Sequence, residues 1–308
     1  MKKILFVLLV AATTFGLYAF DTAVPVVKKS GVREYTRTSY TITEKFGDYY
    51  RSPAAKYVHV FDAAGNEIES SEFSNRDVLV DKVVYEYDAL GHEISATCTD
   101  AEGKINWKII TSYDANGNKI DESQFNANDV LVNKSIWKYS GKQAEEAYYN
   151  TEGALLGKTI TKYDDLNRES EVYQYAAEGY LEGKRVLGYN DAGKLSEVTY
   201  TNGLGLQSKK VVYRFDANYA ITEEQTYDGA NKLVTRVIYK YDDAGNVSRT
   251  TTYTVAEKFG TTVNELIDIN EYSFSNTPTV VPASRTPAAT TPRTTATSSS
   301  AVNAGNAK

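Results

Sequence analysis

The stretch Lys108-Ile109-Ile110-Thr111-Ser112-Tyr113-Asp114-Ala115-Asn116-Gly117-Asn118 decides how the rest of this chain is read. A cation, a β-branched residue and an aromatic are followed at once by Asp, two variable residues, Gly and Asn. The same phrase stands around Phe61-Asp62-Ala-Ala-Gly65-Asn66, Tyr87-Asp88-Ala-Leu-Gly91-His92 and Tyr241-Asp242-Asp-Ala-Gly245-Asn246. Aligned on the aromatic, the series runs Tyr35, Phe61, Tyr87, Tyr113, Tyr139, Tyr163, Tyr189, Phe215, Tyr241, spaced by 26 residues except for one step of 24 (163 − 139). A period in this range is the mark of one small supersecondary unit repeated along the chain.

Counting the aromatic as zero, a cation stands five residues earlier in every copy from Lys56 onward: Lys82, Lys108, Lys134, Lys158, Lys184, Lys210 and Arg236 follow it. Three residues before the aromatic is always Val or Ile (Val58, Val84, Ile110, Ile136, Ile160, Val186, Val212, Ile238). Most copies have Leu or Ile eight residues before it. Side chains of a strand alternate between faces, so cation and β-branched residue share one face. By the same count the leucine and the position-zero aromatic share the other. Asp-x-x-Gly then fits a type I turn closed by a left-handed glycine, a common short hairpin loop. A more polar strand follows and ends in a second turn, as in Ala101-Glu-Gly103. Loops this short make consecutive strands antiparallel neighbours. The expected fold is all-β: an antiparallel β-hairpin repeat array of about 26 residues per repeat and roughly sixteen strands, forming a coiled or curled meander sheet. The second strand of each unit, as in Glu67-Ile-Glu-Ser-Ser-Glu72, is too polar for a lipid-facing barrel wall.

Composition agrees with this reading. Among 308 residues there are 25 tyrosines, and 42% of the chain is apolar, enough to build a packed face. A formal charge of −6 opposes general binding to nucleic acid. Cys98 is the single cysteine, so stability must come from packing and strand pairing rather than an intrachain disulfide. The N-terminus reads MKK and then the apolar run Ile4–Ala12, the form of a secretory signal peptide, with cleavage after Ala19 the natural place. From Thr277 the chain turns to Thr, Ser, Pro and Ala without periodicity, a composition that cannot offset its own chain entropy. The domain reading is therefore residues 1–20 signal peptide, 21–34 lead-in, 35–275 hairpin-repeat domain and 276–308 disordered tail. The mature chain has no expected membrane span.

Tyr113-Asp114-Ala-Asn-Gly117-Asn118 and Tyr241-Asp242-Asp-Ala-Gly245-Asn246 resemble the tyrosine–aspartate (YD, or Rhs-type) repeats of bacterial surface and toxin-delivery proteins. The resemblance spans about residues 50–255. It implies a coiled β-sheet at or beyond the cell envelope, and carbohydrate or cell-surface contact has been proposed for that family. The longer repeat and the absence of a cargo-like domain separate this chain from the toxin-delivery members.

Chemistry-bearing residues are few. The histidines are His59 and His92, and no Ser-His-Asp, Cys-His or His-rich metal set can be assembled. The pairs Glu145-Glu146 and Glu223-Glu224 would serve a carboxylate-based glycosidase only if they converged, yet neighbours on a strand point to opposite faces. Asp114, Asn116, Asn118 and Asp121 look superficially like a calcium loop, but turn geometry asks for the same residues. No cofactor is expected. The lysine column reads either as a stripe for an acidic glycan or as cross-strand partners for Glu69, Glu122, Glu171, Glu197 and Glu223. The tyrosine column reads either as a stacking platform for sugar rings or as packed strand residues. The candidate binding surface comprises Tyr87, Tyr113, Tyr139, Tyr163, Tyr189 and Tyr241 with Lys82, Lys108, Lys134, Lys158, Lys184 and Lys210. The functional expectation is an exported, non-enzymatic repeat protein of the periplasm, cell surface or medium that binds a glycan or another envelope partner. The alternative is a structural or self-associating envelope protein.

Overall fold

The computed structural model describes residues 31–258 and 260–278. The signal-peptide reading and nearly all of the tail reading lie outside them. Eighteen strands run through the described chain. They are β1 (Glu34–Lys45), β2 (Asp48–Phe61), β3 (Glu67–Ser74), β4 (Leu79–Tyr87), β5 (Glu93–Asp100) and β6 (Ile105–Tyr113). Then come β7 (Lys119–Asn126), β8 (Leu131–Ser140), β9 (Gln143–Tyr149), β10 (Leu155–Tyr163), β11 (Glu169–Ala176) and β12 (Leu181–Tyr189). The last six are β13 (Leu195–Asn202), β14 (Gln207–Phe215), β15 (Ile221–Asp228), β16 (Leu233–Tyr241), β17 (Val247–Lys258) and β18 (Thr261–Ser275).

Each strand pairs antiparallel with its neighbours in sequence, and β18 pairs back onto β1 from Glu34↔Ser275 to Thr41↔Asp268. The sheet therefore closes into an up-and-down barrel. This corrects the expectation of a coiled or curled meander of roughly sixteen strands. Two strands lay outside the periodic count, β1 and β18, and these two form the seam. Closure pairs β1 with β18 from Glu34 to Thr41, which covers most of the edge that an open sheet would expose and leaves only the hairpin ends beyond that pair. Eighteen strands at about 4.8 Å make a wall roughly 85 Å around before tilt, enough to enclose a lumen.

The bend that closes the wall is built into each turn. Asp62 N–H donates to Asn66 O, and Gly65 N–H donates to Asp62 O at 3.1 Å, with Gly65 at φ 88°. Asp62 Oδ1 accepts the N–H groups of Ala64 and Asn66, each at 2.9 Å. The same pattern recurs at Asp88, Asp114, Asp164 and Asp242. One residue is skipped in the ladder beside these turns, for example between Glu86 and Tyr87 and between Ser112 and Tyr113. Bulges of this kind bend the strand and increase its twist. A second series of bulges lies at the opposite rim, as between Glu72 and Phe73, where Phe73 stands across from Leu79. That bulge also corrects the alternation count. It puts Leu79, Leu131 and Leu181 opposite Phe73, Phe125 and Tyr175, so the leucine does not share the face of the position-zero aromatic.

The two faces differ as a closed wall requires. Ala96, Cys98, Thr111, Thr159, Val172, Val198, Val211 and Tyr239 share one face through the ladder and are buried, crowded by longer neighbours on the concave side. The β-branched column faces outward: Ile110 and Val186 are exposed, and Val84, Ile136 and Ile160 half-buried. Cys98 is a small buried filler of the inner face, and burial pushes its thiol pKa up.

Candidate functional site on the inner wall

The outer face is a ladder of ion pairs. Lys82 reaches Glu69 at 3.5 Å, Lys158 reaches Glu145 at 3.2 Å, Lys184 reaches Glu171 at 2.5 Å and Lys210 reaches Glu197 at 3.9 Å, while Lys134 pairs with Asp121. Arg236 holds Glu223 at 2.6 Å. Lys108 differs because Ser95 stands where the other repeats carry the carboxylate. Several of these cations also lie over rings on the neighbouring strand, as Lys184 over Tyr173 at 4.9 Å and Lys210 over Tyr227 at 5.4 Å. Charges at mid-strand all round the wall interrupt the apolar band, roughly 25 Å tall, that a lipid-facing barrel needs.

The position-zero tyrosines sit at one rim on the inner side. Tyr87, Tyr113, Tyr139, Tyr189 and Tyr241 each donate a hydroxyl hydrogen bond to the carbonyl 20 residues earlier, at the start of the preceding strand, at 2.7–2.9 Å. Each such bond satisfies a carbonyl beside a bulge, where the regular ladder is interrupted. The tyrosine and lysine columns thus lie on opposite sides of one wall and do not meet in one surface. Glu145 and Glu146 likewise part, the first outward to Lys158, the second inward, and Glu223 and Glu224 part in the same way.

The single shortened repeat breaks this regularity. Between β8 and β9 the Asp-x-x-Gly-Asn loop is replaced by Gly141-Lys142 alone, which accounts for the step of 24. Tyr163, the aromatic that closes the short repeat, makes no hydroxyl bond to a carbonyl 20 residues back, unlike the five tyrosines above. Around it the inner wall from β7 to β12 encloses a cavity of about 280 Å³. Its aromatic lining comes from Trp137, Tyr139, Tyr148 and Tyr163, with Ala144 and Val172 beneath, and its polar lining includes Lys119, Glu122, Glu146, Glu169 and Arg185.

The ions of the cavity are mostly matched. Lys119 bonds Glu122 and lies over the Trp137 ring at 4.6 Å. Arg185 reaches Glu169 at 3.1 Å. Glu146 accepts a hydrogen bond from the Tyr148 hydroxyl at 2.9 Å, and that hydroxyl also lies 2.8 Å from Thr159 Oγ1. Burial pushes the Glu146 carboxyl above the ordinary carboxylate range, only partly countered by hydrogen bonds from Tyr148 and Ser135. The result is a concave patch with aromatic faces and a mixed set of donors and acceptors, the usual make-up of a small-ligand site. Of the sequence-derived candidates, Tyr139 and Tyr163 line it. Trp137, Tyr148 and Arg185 were not among those candidates, and Glu146 entered the sequence reading only as half of the Glu145-Glu146 pair. Their signal was the single 24-residue step, which marks this place in the repeat.

The two histidines and the calcium-like loop have structural tasks. His92 takes the turn position that is Asn at 66, 118 and 246 and bonds Asp88 Oδ2 at 2.9 Å, as Asn118 does to Asp114. His92 also stacks on Tyr113 at 4.7 Å. His59 lies 2.6 Å from Glu67 and stacks on Tyr35. Asp114 commits both oxygens to its own turn, which holds its pKa below the usual range.

No family model and no curated protein matches this chain. Among solved structures it is similar to a porin-like protein from Bacteroides uniformis, at 11% identity and a TM-score of 0.45, over 80% of this chain and 98% of that one. A LolA superfamily protein from Nitrosomonas europaea is similar at 10% identity and a TM-score of 0.26, over 83% of this chain and 90% of that one. The Photorhabdus luminescens Tc holotoxin pore is similar at 13% identity and a TM-score of 0.17, over 69% of this chain, which spans 16% of that chain's length. Likenesses this distant bear on neither ligand nor partner.

Proposed function

We propose that this protein is an exported, non-enzymatic β-barrel of the cell envelope that holds a glycan or small saccharide against its inner wall. The observation that carries the reading is the cavity of about 280 Å³ at the short repeat. Aromatic rings offer the apolar faces on which sugar rings stack, and their polar edges tolerate water. Carboxylates and cations already paired to one another present acceptors and donors without a large net charge, which suits a neutral polyhydroxylated ligand better than an ion. The signal-peptide form of the N-terminus supports export. A screen of neutral oligosaccharides by titration calorimetry tests the idea. A ligand found there should bind at least tenfold more weakly to Trp137→Ala, while Trp107→Ala, on the same face outside the cavity, should leave binding unchanged. Equal loss in both variants, or no ligand in the screen, would remove the proposal.

Self-association is the second reading, and a specific observation favours it. The β1–β2 and β17–β18 hairpins extend past the last β1–β18 pair, Thr41↔Asp268, so both leave strand edges unpaired. The first hairpin ends in fully exposed Phe46, with Tyr49 and Tyr50 beside it. Concentration-dependent mass in sedimentation, abolished by Phe46→Ser, would move this reading to first place.

A further inference from the structure

The repeat makes one substitution conspicuous. At the outward position beside each bulge, the carboxylate column runs Glu69, Ser95, Asp121, Glu145, Glu171, Glu197, Glu223 and then Arg249. Across the ladder from these stand Val60, Glu86, Ser112, Lys138, Lys162, Gly188, Arg214 and Lys240. Wherever the facing residue is cationic, the column supplies a carboxylate, except in the last pair. Where the facing residue is Glu86, the column carries Ser95 instead, which avoids like charges. Lys240 alone faces an arginine. Like charges directly opposite on a ladder are destabilising, and within this outward column they meet only here, while Arg249 faces Glu271 on its other side.

The break falls on a groove of about 440 Å³ on the outer face, next to the seam. Lys240 is exposed and has no carboxylate partner among the described residues. Three hydroxyl residues, Thr38, Ser248 and Ser273, line the same groove. Its one carboxylate, Glu271, is fully engaged: Arg51 holds it at 2.6 Å, Tyr40 donates to it at 2.8 Å and Arg249 bonds it. These bonds hold Glu271 down at about 2, so it stays charged and directs the arginines rather than competing for a ligand proton. Of the charged residues that line it, Lys240 and Arg249 stand against Glu271, so the groove carries a net charge of +1 (2 − 1) on a chain that is acidic overall, and Arg51 engages Glu271 from outside the lining.

We infer that this groove binds a tetrahedral oxyanion, the phosphate or sulfate group of a larger ligand, between Lys240 and Arg249, with the Thr38, Ser248 and Ser273 hydroxyls completing its hydrogen bonds. Charge-assisted bonds from two cations suit such a group, and the hydroxyls supply rotatable donors. The site is on the other side of the wall from the saccharide cavity and does not depend on it.

Inorganic phosphate and inorganic sulfate, titrated by calorimetry into the full chain at low and constant ionic strength, provide the test. An oligomer of uronic acid tests carboxylate in parallel. Phosphate or sulfate should bind, and Lys240→Gln should weaken binding at least tenfold with an unchanged circular dichroism spectrum. Lys162→Gln, a cation on the same face that keeps its carboxylate opposite, should bind as the unaltered protein does. Arg249→Gln is the second variant and should act like Lys240→Gln. No binding by the unaltered protein, equal binding by Lys240→Gln, equal loss in Lys162→Gln, or tighter binding of the uronate oligomer than of either oxyanion would overturn the inference.

Discussion

Tyr113 shows how one side chain serves two levels of the architecture. Its ring lies on the inner face at the rim, stacked on His92, and its hydroxyl satisfies the Glu93 carbonyl at 2.9 Å. Removing only the hydroxyl, as in Tyr113→Phe, should cost about 1 kcal/mol, read from the urea midpoint at unchanged slope. The turn residues give a test of opposite sign. Tyr219 is exposed and occupies the left-handed position (φ 61°) that Gly65, Gly91, Gly117, Gly193 and Gly245 fill in the equivalent turns. A non-glycine residue there costs roughly 1–2 kcal/mol, partly offset by the greater chain entropy that glycine loses. Tyr219→Gly should therefore stabilise the protein by up to about 1 kcal/mol, and Gly245→Ala should destabilise it by a similar amount.

At the scale of the strand, inner and outer carboxylates titrate in opposite senses. The bonds from Lys184, Tyr173 and Lys162 bring outward Glu171 down to about 2, and Glu271 is held near the same value by Arg51, Tyr40 and Arg249. A lowered acid contributes stability above its unfolded pKa and loses it as pH falls through the folded one. That loss is expected from about pH 4 to pH 2. On the inner wall, burial raises Glu93, Glu146 and Glu224. A raised acid binds its proton more readily folded than unfolded, so stability should increase as pH falls through the raised values toward the ordinary carboxylate range. Denaturation midpoints should accordingly rise from neutral into mild acid and then drop steeply below about pH 4. A monotonic fall from neutral would contradict the inner-wall assignments. Single rungs of the outer ladder should matter little: Lys134→Ala should shift stability by less than about 1 kcal/mol, because both partners remain in contact with water.

For the whole molecule the seam is the element on which closure depends. β1 and β18 are long strands, and the Glu271 node ties β1, β2, β17 and β18 together through Tyr40, Arg51 and Arg249. Ending the chain after Lys258 removes β18 and leaves β1 and β17 as exposed edges. Such edges template pairing with other chains, so sedimentation of the truncated protein should show mass rising with concentration, beyond that of the full chain. A truncated protein with the full chain's association behaviour would show that the β1–β18 pairing is not what keeps the sheet closed.

The sequence by itself determined the strand, the turn and their antiparallel order, because these follow from contacts within one repeat. Asp114 and Gly117 close their hairpin with bonds that span only a few residues, and Lys184 finds Glu171 on the adjoining strand. Closure was decided elsewhere. It depends on small bends summed over eighteen strands until Glu34 meets Ser275, and no local pattern reports that sum. The same holds for the faces: a period of two separates them, but which one is concave follows only from the direction of the accumulated bend. The cavity around Trp137 and the Lys240–Arg249 groove had traces in the sequence, a step of 24 and a reversed charge. Those traces acquired chemical meaning only when the wall curved and set six strands around one space and four strands around one carboxylate.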